Sequence, residues 1–312
     1  MLDTYGREVK TLRLAVTEAC DLRCVYCMPE KAEPLHGTPL TTDELTAIAQ
    51  AAVNNGITKI RLTGGEPLFR PDIITICERI SRMQGLRSLC LTTNGTRLAL
   101  LAGDLARAGV SRVNISLDTL KPERYRILTR GGNLQNVLDG IKAALHAGFD
   151  KVKINCVLIG DVNDDEIPDF VSLTKSKPLE VRFIELMPMG ECANWPKHRF
   201  ISADRVLAVC PELCKVADEG VAERYALPGA KGKVGLIRPM SHAFCGTCDR
   251  IRVTSDGMLK PCLHSGEEVN LRGLSGLALE QKVAQGIGDK PATHHLNETG
   301  TQTDRRMNQI GG

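Results

Sequence analysis

The feature that most restricts how this chain can fold is a regular alternation of two kinds of segment between about residues 11 and 210. Six short runs have the composition of β-strands, beginning with TLRLAVT and ending with LEVRFIELM. The segments between them, such as TTDELTAIAQAAVNNG, carry apolar residues at helical spacing, and several end on glycine. This alternation predicts an α/β fold in which parallel strands are joined by right-handed crossover helices. The pattern alone fits either a partial barrel or an open sheet.

The chemically unusual residues stand directly after the predicted strands. A loop with three cysteines follows the first strand, GGEP follows the second, TTNG follows the third, Ser116-Leu117-Asp118 ends the fourth, and MPMG follows the sixth. In a parallel sheet the carboxyl ends of the strands share one face, and ligands bind there. We therefore expect the function of this chain to be concentrated at that face.

The cysteines of the first loop, Cys20, Cys24 and Cys27 (the first triad), have the spacing C-x3-C-x2-C. A structural zinc ion takes four ligands, and the nearest further candidate is His36. A four-iron cluster can instead accept three thiolates and keep one iron open to another ligand. The tight triplet, with Tyr26 just before its last cysteine, favours the iron–sulfur interpretation.

The alternation ends near residue 215, so we expect two regions. A partial barrel would cover residues 1–215, and a C-terminal region would cover residues 216–312. In the second region, Ser255-Asp256-Gly257 between RIRV and MLKP predicts a hairpin turn. The polar end of the chain, TQTDRRMNQIGG, has a composition typical of a frayed terminus.

Three further cysteines, Cys245, Cys248 and Cys262 (the second triad), have the spacing C-x2-C-x13-C. His264 would complete a Cys3His zinc set, so this segment by itself leaves zinc and an iron–sulfur cluster both open. An iron–sulfur cluster on the first triad makes a second cluster the better interpretation.

Basic residues stand within the β-type runs. A charged side chain on a buried strand is costly unless it is paired or lines a cavity. The alternation of side chains puts Lys59 and Arg61 on one face, and likewise Arg250 and Arg252. We therefore expect an anion-binding site inside a barrel. The alternative is that these side chains are solvated or form salt bridges. Five basic residues on these runs are the candidates for this site: Arg13, Lys59, Arg61, Lys153 and Arg182.

The motifs together carry a resemblance to a known family. They occur in order along nearly the whole chain: LRLAVTEACDLRCVYCMPE, KIRLTGGEPLFR, VNISLD, VRFIELMPMG, FCGTCDRIRVTSDGMLKPCL and the terminal IGG. The sequence resembles the radical S-adenosylmethionine superfamily and, within it, the GTP 3′,8-cyclase family of molybdenum cofactor biosynthesis. Two departures are small: Glu18-Ala19 stands where the family more often has Asp-Arg, and LTRGGNLQNVL matches its turn loosely.

The resemblance implies a partial (βα)6 TIM-like barrel with a C-terminal extension that carries a second cluster. It implies two [4Fe–4S] clusters, one on each triad. S-adenosylmethionine would complete the coordination of the first cluster and, after one-electron reduction, would yield the 5′-deoxyadenosyl radical. That radical would abstract the C3′ hydrogen of GTP, and the C3′ radical would then attack C8 of the guanine. The open iron of the second cluster would bind the guanine base.

The resemblance also assigns roles to residues. Those around S-adenosylmethionine would be Tyr26, Gly65, Ser116 and Met187. Those around GTP would be Arg13, Lys59, Arg61, Thr92, Lys153, Arg182, Arg250, Ile251 and Arg252. Catalytic roles would fall on Arg61, Arg250 and Arg252. The terminal Gly311-Gly312 would reach into the active site.

Composition limits the other function classes. The formal net charge is only +3 and aromatic residues make up 4% of the chain, which does not favour nucleic-acid binding. No apolar run approaches the roughly 20 residues of a membrane span, and the first residues lack the pattern of a signal peptide. We therefore expect a cytoplasmic protein, in which the 12 cysteines indicate metal chemistry rather than disulfides.

The expected partners are GTP, an electron donor and the downstream cyclic pyranopterin monophosphate synthase, and a homodimer is left open. Two alternative functions also stay open. One is another radical S-adenosylmethionine enzyme with an auxiliary cluster, acting on a peptide. The other is a zinc-stabilised nucleic-acid-binding protein without catalysis.

Overall fold

The computed structural model describes residues 1–31, 37–294 and 296–311. His36, a candidate ligand in the sequence, and Gly312, the last residue of the chain, lie outside the described residues. Within the described part, every helix is too short or too polar to span a bilayer.

The strands belong to one sheet. In the described part of the chain they are β1 (Thr11–Ala15), β2 (Lys59–Thr63), β3 (Ser88–Thr93), β4 (Val110–Ser116), β5 (Lys151–Leu158), β6 (Leu179–Glu185), β7 (Cys214–Glu219), β8 (Ala222–Ala226), β9 (Lys233–Ile237), β10 (Arg250–Val253), β11 (Met258–Lys260) and β12 (Val269–Asn270).

The helices join these strands or follow them. Over the same described residues they are α1 (Thr42–Asn54), α2 (Ile73–Ser81), α3 (Leu98–Arg107), α4 (Pro122–Leu128), α5 (Leu134–His146), α6 (Ile167–Ser176), α7 (Asp204–Val209), α8 (Gly276–Gly288), α9 (Leu296–Thr299) and α10 (Met307–Ile310).

The strand order is β12-β11-β10-β1-β2-β3-β4-β5-β6-β9-β8-β7. Strands β1 to β6 pair in chain order and all pairs are parallel, which confirms the six predicted strands. Two strands from the C-terminal region extend the parallel part, β10 beside β1 and β9 beside β6. No hydrogen bonds between the described strands join the two edges of the sheet, so the fold is a partial TIM-like barrel.

Alternation along each strand separates an apolar outer face from a polar inner face. On β1, Leu12 and Leu14 are fully buried in the core, and Arg13 between them faces inward. The helices cover the outer face. Helix α1, for example, is capped by Thr41 through a capping box and packs against α2 and α8. The polar inner face is therefore left to build a site.

The C-terminal region is ordered over the described residues. The predicted hairpin is confirmed, because β10 and β11 pair antiparallel around a turn in which Gly257 has φ of 95°. The prediction of a frayed tail was wrong for residues 301–311. Arg305 is buried between Asp256, at 3.0 Å, and Glu268, at 2.6 Å, and Ile310 is buried. The division of the chain at residue 215 stays a prediction.

Candidate active site

One cavity of about 330 Å³ is lined by side chains from the carboxyl ends of the parallel strands and from the C-terminal region. All cysteines of both triads contribute to its wall. Soft thiolate ligands gathered in this number suit iron–sulfur clusters better than hard cations. These cysteines are Cys20, Cys24, Cys27, Cys245, Cys248 and Cys262.

The first triad lies in the loop after β1. Its backbone turns back on itself, because the N–H groups of Cys27 and Met28 both donate to the carbonyl of Cys24, at 2.9 and 3.1 Å. Arg130 holds the far end of the loop by donating to the carbonyl of Met28 at 2.7 Å. Burial raises the pKa of Cys20 and of Cys27 to about 12. A bound metal cluster supplies the positive charge that these thiols need to become thiolates.

The GGEP turn after β2 packs directly on this loop. Gly64 has φ of 144°, and a Cβ atom there would lie 2.2 Å from the carbonyl oxygen of Thr17. A Cβ atom on Gly65 would lie 2.4 Å from the carbonyl oxygen of Ala19. Both positions therefore require glycine, because the two loops approach each other through their backbones.

Glu66 of the same turn is fully buried and links two loops. Its carboxylate accepts hydrogen bonds from the N–H of Leu68 at 2.9 Å, the hydroxyl of Thr93 at 2.7 Å and the N–H of Asn94 at 2.6 Å. Burial raises the pKa of Glu66 to about 7, although these three donors favour the ionised form. Glu66 thus fixes the loops after β2 and β3 around the first triad.

The residues expected around S-adenosylmethionine meet at this cavity. Tyr26, Gly65, Ser116 and Met187 all line it. The hydroxyl of Tyr26 donates to Asp118 at 2.6 Å, and burial raises the pKa of Asp118 to about 6. The sequence analysis did not assign Asp118 to the site, although its position just after β4, two residues beyond Ser116, was an available signal.

The second triad has polar partners that the sequence analysis missed. Lys290 donates to the Cys248 sulfur at 3.4 Å. A hydrogen bond from His294 lowers the pKa of Cys245 to about 6. Burial acts to raise the pKa of Cys248, but the charges of Arg250 and Lys290 outweigh it and lower this pKa. Cys245 and Cys248 are therefore more prone to ionise than Cys20 and Cys27, which suits them to bind a metal.

His264, the residue that left zinc open, does not complete a metal-ion site. Among the described residues, no three His, Cys, Asp or Glu side chains converge closely enough to hold a single metal ion. The ring of His264 instead lies 5.0 Å from that of His294, and burial lowers the pKa of His264 to about 4.

Guanidinium groups concentrate on the β10–β1–β2 side of the inner face. The register places Arg252, Arg13 and Arg61 side by side. Burial, followed by the charges of Arg252, Arg250 and Arg61, lowers the pKa of Arg13. Burial and the charge of Arg250 lower that of Arg252 to about 10. The mutual repulsion of these guanidinium groups in a poorly hydrated cavity favours the binding of a polyanionic ligand.

Lys153 and Arg182, on the opposite side of the inner face, have carboxylate neighbours. Lys153 lies 3.3 Å from Glu180 and 3.4 Å from Glu219, and Arg182 also pairs with Glu180. Burial and the charge of Arg182 lower the pKa of Lys153 to about 8. Neither basic residue lines the cavity itself.

Some of the other predicted substrate residues line the cavity, and some do not. Thr92 lines the cavity and accepts a hydrogen bond from Arg61 at 3.4 Å. Lys59 lies one inward-facing position nearer the amino end of β2, where burial and the charge of Arg61 lower its pKa. Ile251 is buried in the apolar core, whereas its neighbours Arg250 and Arg252 line the cavity.

The C-terminal segment enters the same site. Arg252 donates to the carbonyls of Ile310 at 3.1 Å and Gly311 at 2.7 Å. Asn308 donates to the carbonyl of Glu18, next to the first triad, at 3.3 Å. A Cβ atom on Gly311 would lie 2.1 Å from the Thr63 hydroxyl, so this position needs glycine. The segment therefore lies between the loop of the first triad and the strand that follows Cys248.

Comparison with known families divides the chain into two matched parts. Residues 14–174 match the family described as radical SAM superfamily, where SAM is S-adenosylmethionine. Residues 179–296 match the family described as Molybdenum Cofactor Synthesis C.

Similar proteins cover the whole chain. The GTP 3′,8-cyclase of Peptoclostridium acidaminophilum is 47% identical over all of this chain and 98% of its own length. That of Alkaliphilus metalliredigens is 45% identical over the full length of both chains. Among solved structures, Streptococcus suis SuiB matches 91% of this chain and 67% of its own, with a TM-score of 0.61 and 15% identity. Native anSMEcpe with bound AdoMet matches 88% of this chain and 82% of its own, with a TM-score of 0.58 and 15% identity.

Proposed function

Because the chain belongs to the radical S-adenosylmethionine superfamily and to the GTP 3′,8-cyclase family within it, we propose that it converts GTP to (8S)-3′,8-cyclo-7,8-dihydroguanosine 5′-triphosphate. This reaction is an early step of molybdenum cofactor biosynthesis. The observation that carries the proposal is the convergence of both cysteine triads and the guanidinium cluster on one cavity. That arrangement brings the sites of a cosubstrate and a polyanionic substrate together.

The first triad is assigned to the [4Fe–4S] cluster that the superfamily implies. When bound, this cluster supplies one electron for the cleavage of S-adenosylmethionine. The protein would hold the cosubstrate in the cavity. Gly64 and Gly65 let the turn after β2 pack closely on the loop of the first triad, and Tyr26 and Ser116 line the cavity. Met187 contributes an apolar surface that helps to exclude water from the reacting atoms.

The second triad is assigned to a second [4Fe–4S] cluster that binds the guanine base. Support comes from the low pKa of Cys245 and from the hydrogen bond that Lys290 donates to the Cys248 sulfur. Cys262 lines the same cavity and would be the third ligand. His264 packs against His294, with 5.0 Å between the ring centroids, so it is left out of the ligand set and the substrate would take the remaining coordination position.

The guanidinium cluster is assigned to GTP. Arg13, Arg250 and Arg252 line the cavity, and Arg61 lies beside Arg13 in the sheet. Planar guanidinium groups donate paired hydrogen bonds to phosphate oxygens, and four negative charges of a triphosphate would relieve their mutual repulsion. Holding the ribose between the two triads would bring C3′ to the reacting position.

The remaining predicted residues are assigned to the same substrate. Thr92 would position Arg61, while Lys59, Lys153 and Arg182 would add positive charge deeper in the barrel. Ile251 would act through packing, because its side chain lies in the apolar core.

An enzyme that acts on a peptide is the second candidate. Streptococcus suis SuiB, which has a solved structure bound to the precursor peptide SuiA, has a similar fold. At 16% identity that likeness concerns the fold alone, and the buried guanidinium cluster favours an anionic substrate. The zinc-stabilised nucleic-acid-binding alternative does not fit the family to which the chain belongs.

We further propose that a reduced electron donor serves the first cluster and that the product passes to cyclic pyranopterin monophosphate synthase. A homodimer is a further proposal. A reducing compartment such as the cytoplasm would suit the exposed and half-buried thiols of this chain.

The test is an anaerobic assay of the reconstituted protein. We expect methionine, 5′-deoxyadenosine and cyclised GTP to form only when S-adenosylmethionine, GTP and a reductant are all present. Binding is measured in parallel against ATP, CTP, UTP and unrelated peptides. Cleavage of S-adenosylmethionine that is coupled to a peptide and unaffected by GTP would refute the proposal.

A further inference from the structure

Arg7 makes an unusually complete set of contacts beside the second triad. Its side chain is 7% exposed and lines the active-site cavity. A guanidinium has five N–H bonds, and here each has an acceptor. The acceptors are the Asp3 carboxylate at 2.5 Å and the carbonyls of Cys245 at 2.9 Å, Ala292 at 3.0 Å, Pro291 at 2.7 Å and Lys290 at 3.3 Å.

These carbonyls belong to two of the segments that build the second site, while Cys262 lies on a third. One is the turn that begins with Cys245, the first cysteine of the second triad. The other is the segment 290–294 after α8, which carries Lys290 and His294. Lys290 reaches the Cys248 sulfur at 3.4 Å, and the same amine donates to the carbonyl of Pro261, next to Cys262, at 3.3 Å.

A local turn fixes the guanidinium before it makes these contacts. The buried Asp3 carboxylate accepts from the N–H groups of Tyr5 and Arg7, each at 2.9 Å, and from the Arg7 side chain. Gly6, with φ of 76°, allows the chain to turn between them. Thr4 adds a hydrogen bond to the carbonyl of Gly288 at 3.1 Å, at the end of α8.

We propose that Arg7 is a positioning residue of the second triad. By binding the backbone of both segments at once, it keeps the Cys245 turn and the Lys290 amine in the arrangement that receives a metal cluster. Lysine has the charge of arginine but lacks the planar fork, so it cannot contact all four carbonyls. The inference rests on the proposed function, because it takes the second triad to hold a [4Fe–4S] cluster.

The test uses the full chain with Cys24→Ala, so that iron bound after anaerobic reconstitution reports on the second triad. Arg7→Lys and Arg7→Ala are introduced into this background. Three readouts are taken: iron and sulfide per chain, the electron paramagnetic resonance spectrum after reduction, and the rate of iron loss to a chelator. Residues that hold metal ligands in place typically contribute about 10- to 100-fold to metal affinity. We expect both Arg7 variants to lose iron at least about tenfold faster, with a changed spectrum.

Arg70→Lys is the matched control. Arg70 is a half-buried arginine, with its side chain 11% exposed, that pairs with one carboxylate, Asp72, and donates to two backbone carbonyls, those of Val16 at 2.7 Å and Leu40 at 2.9 Å. It makes no contact with the second triad, so its substitution should leave the second-site spectrum unchanged.

Two results would overturn the inference alone. One is an unchanged spectrum and chelation rate in both Arg7 variants while the Cys24→Ala background keeps its cluster. The other is a loss of iron that merely follows unfolding, seen as an Arg7→Lys variant that is much less thermally stable without iron than Arg70→Lys. A background that binds no iron at the second triad contradicts the proposed second cluster itself, and the inference then fails with its premise.

Discussion

Glu219 offers a quantitative test of the charge balance inside the barrel. This carboxylate stands at the end of β7 and reaches the inner face, where its side chain is 23% exposed. Four cationic side chains approach its oxygens: Arg112 at 3.0 Å, Lys151 at 2.8 Å, Lys153 at 3.4 Å and Arg224 at 3.0 Å. We expect Glu219→Gln to destabilise the fold, because it leaves these cations without the central anion.

The magnitude follows from the pKa of Glu219. Burial acts to raise this pKa, but the hydrogen bond from Lys151 and the charges of Lys153 and Lys151 outweigh it, and the pKa falls from 4.5 to about 2. That difference corresponds to about 3 kcal/mol of stability at neutral pH. Because the folded-state pKa lies below the unfolded value, this contribution is complete above pH 4.5. It is lost as the pH falls from 4.5 to about 2.

The assay is anaerobic urea denaturation, followed by circular dichroism, of wild type and Glu219→Gln. We expect a difference of about 3 kcal/mol at pH 7 and about 2 kcal/mol at pH 3.5. Removing this negative charge from beside Lys153 should also strengthen the attraction for a triphosphate, so the dissociation constant of GTP should fall.

Asp165→Asn is the control for this argument. The pKa of Asp165 is also held at about 2, through hydrogen bonds from Arg124 and Lys121, but its side chain is 50% exposed. Solvent screens such surface pairs, so this substitution should cost at most about 1 kcal/mol. If Glu219→Gln lowers the free energy of unfolding no more than Asp165→Asn does, the ion pairs of Glu219 do not stabilise the fold.

The remaining predictions concern the two triads and the tail. Cys24→Ala should abolish cleavage of S-adenosylmethionine, whereas Cys262→Ala should retain cleavage and lose cyclisation; equal loss of both activities would contradict separate roles. Deleting Gly311 and Gly312 should lower turnover without changing the unfolding temperature, and normal turnover would show that the tail has no part in the reaction. Arg252→Ala removes two charge-assisted hydrogen bonds to this tail, so turnover should fall about 10- to 100-fold, with stable folding checked by circular dichroism.

The six central strands could be predicted because each carries a local pattern. Strands β9 and β10 could not be placed in the same way. RIRV was predicted as one arm of a hairpin with MLKP, and that pairing is confirmed. Strand β10 also pairs with β1, where Thr11 lies beside Arg250. These residues are far apart in the sequence, and local periodicity holds no information about such a contact.

The site residues also differ in whether a local sequence pattern could reveal them. The first triad was predictable because close spacing places its cysteines in one loop, whereas Cys262 reaches the cavity of Cys245 and Cys248 only after the β10–β11 hairpin. Arg7 and Lys290 were not, because each lies outside any motif and meets the second triad only through tertiary structure. For Arg182 a local signal existed: Glu180 stands two positions before it on one strand, so alternation puts both on the same face. The tail was misread because its polar residues pair with side chains elsewhere in the fold, as the buried Arg305 does with Glu268.

The most direct test of the account is the fate of the C3′ hydrogen of GTP. Anaerobic turnover is run with GTP that carries deuterium at C3′, and 5′-deoxyadenosine is analysed by mass spectrometry. The account predicts one deuterium transferred into 5′-deoxyadenosine, together with a cyclised product that has lost it. Unlabelled 5′-deoxyadenosine formed beside such a product would contradict hydrogen abstraction at C3′, and no GTP-dependent product at all would contradict the proposed function.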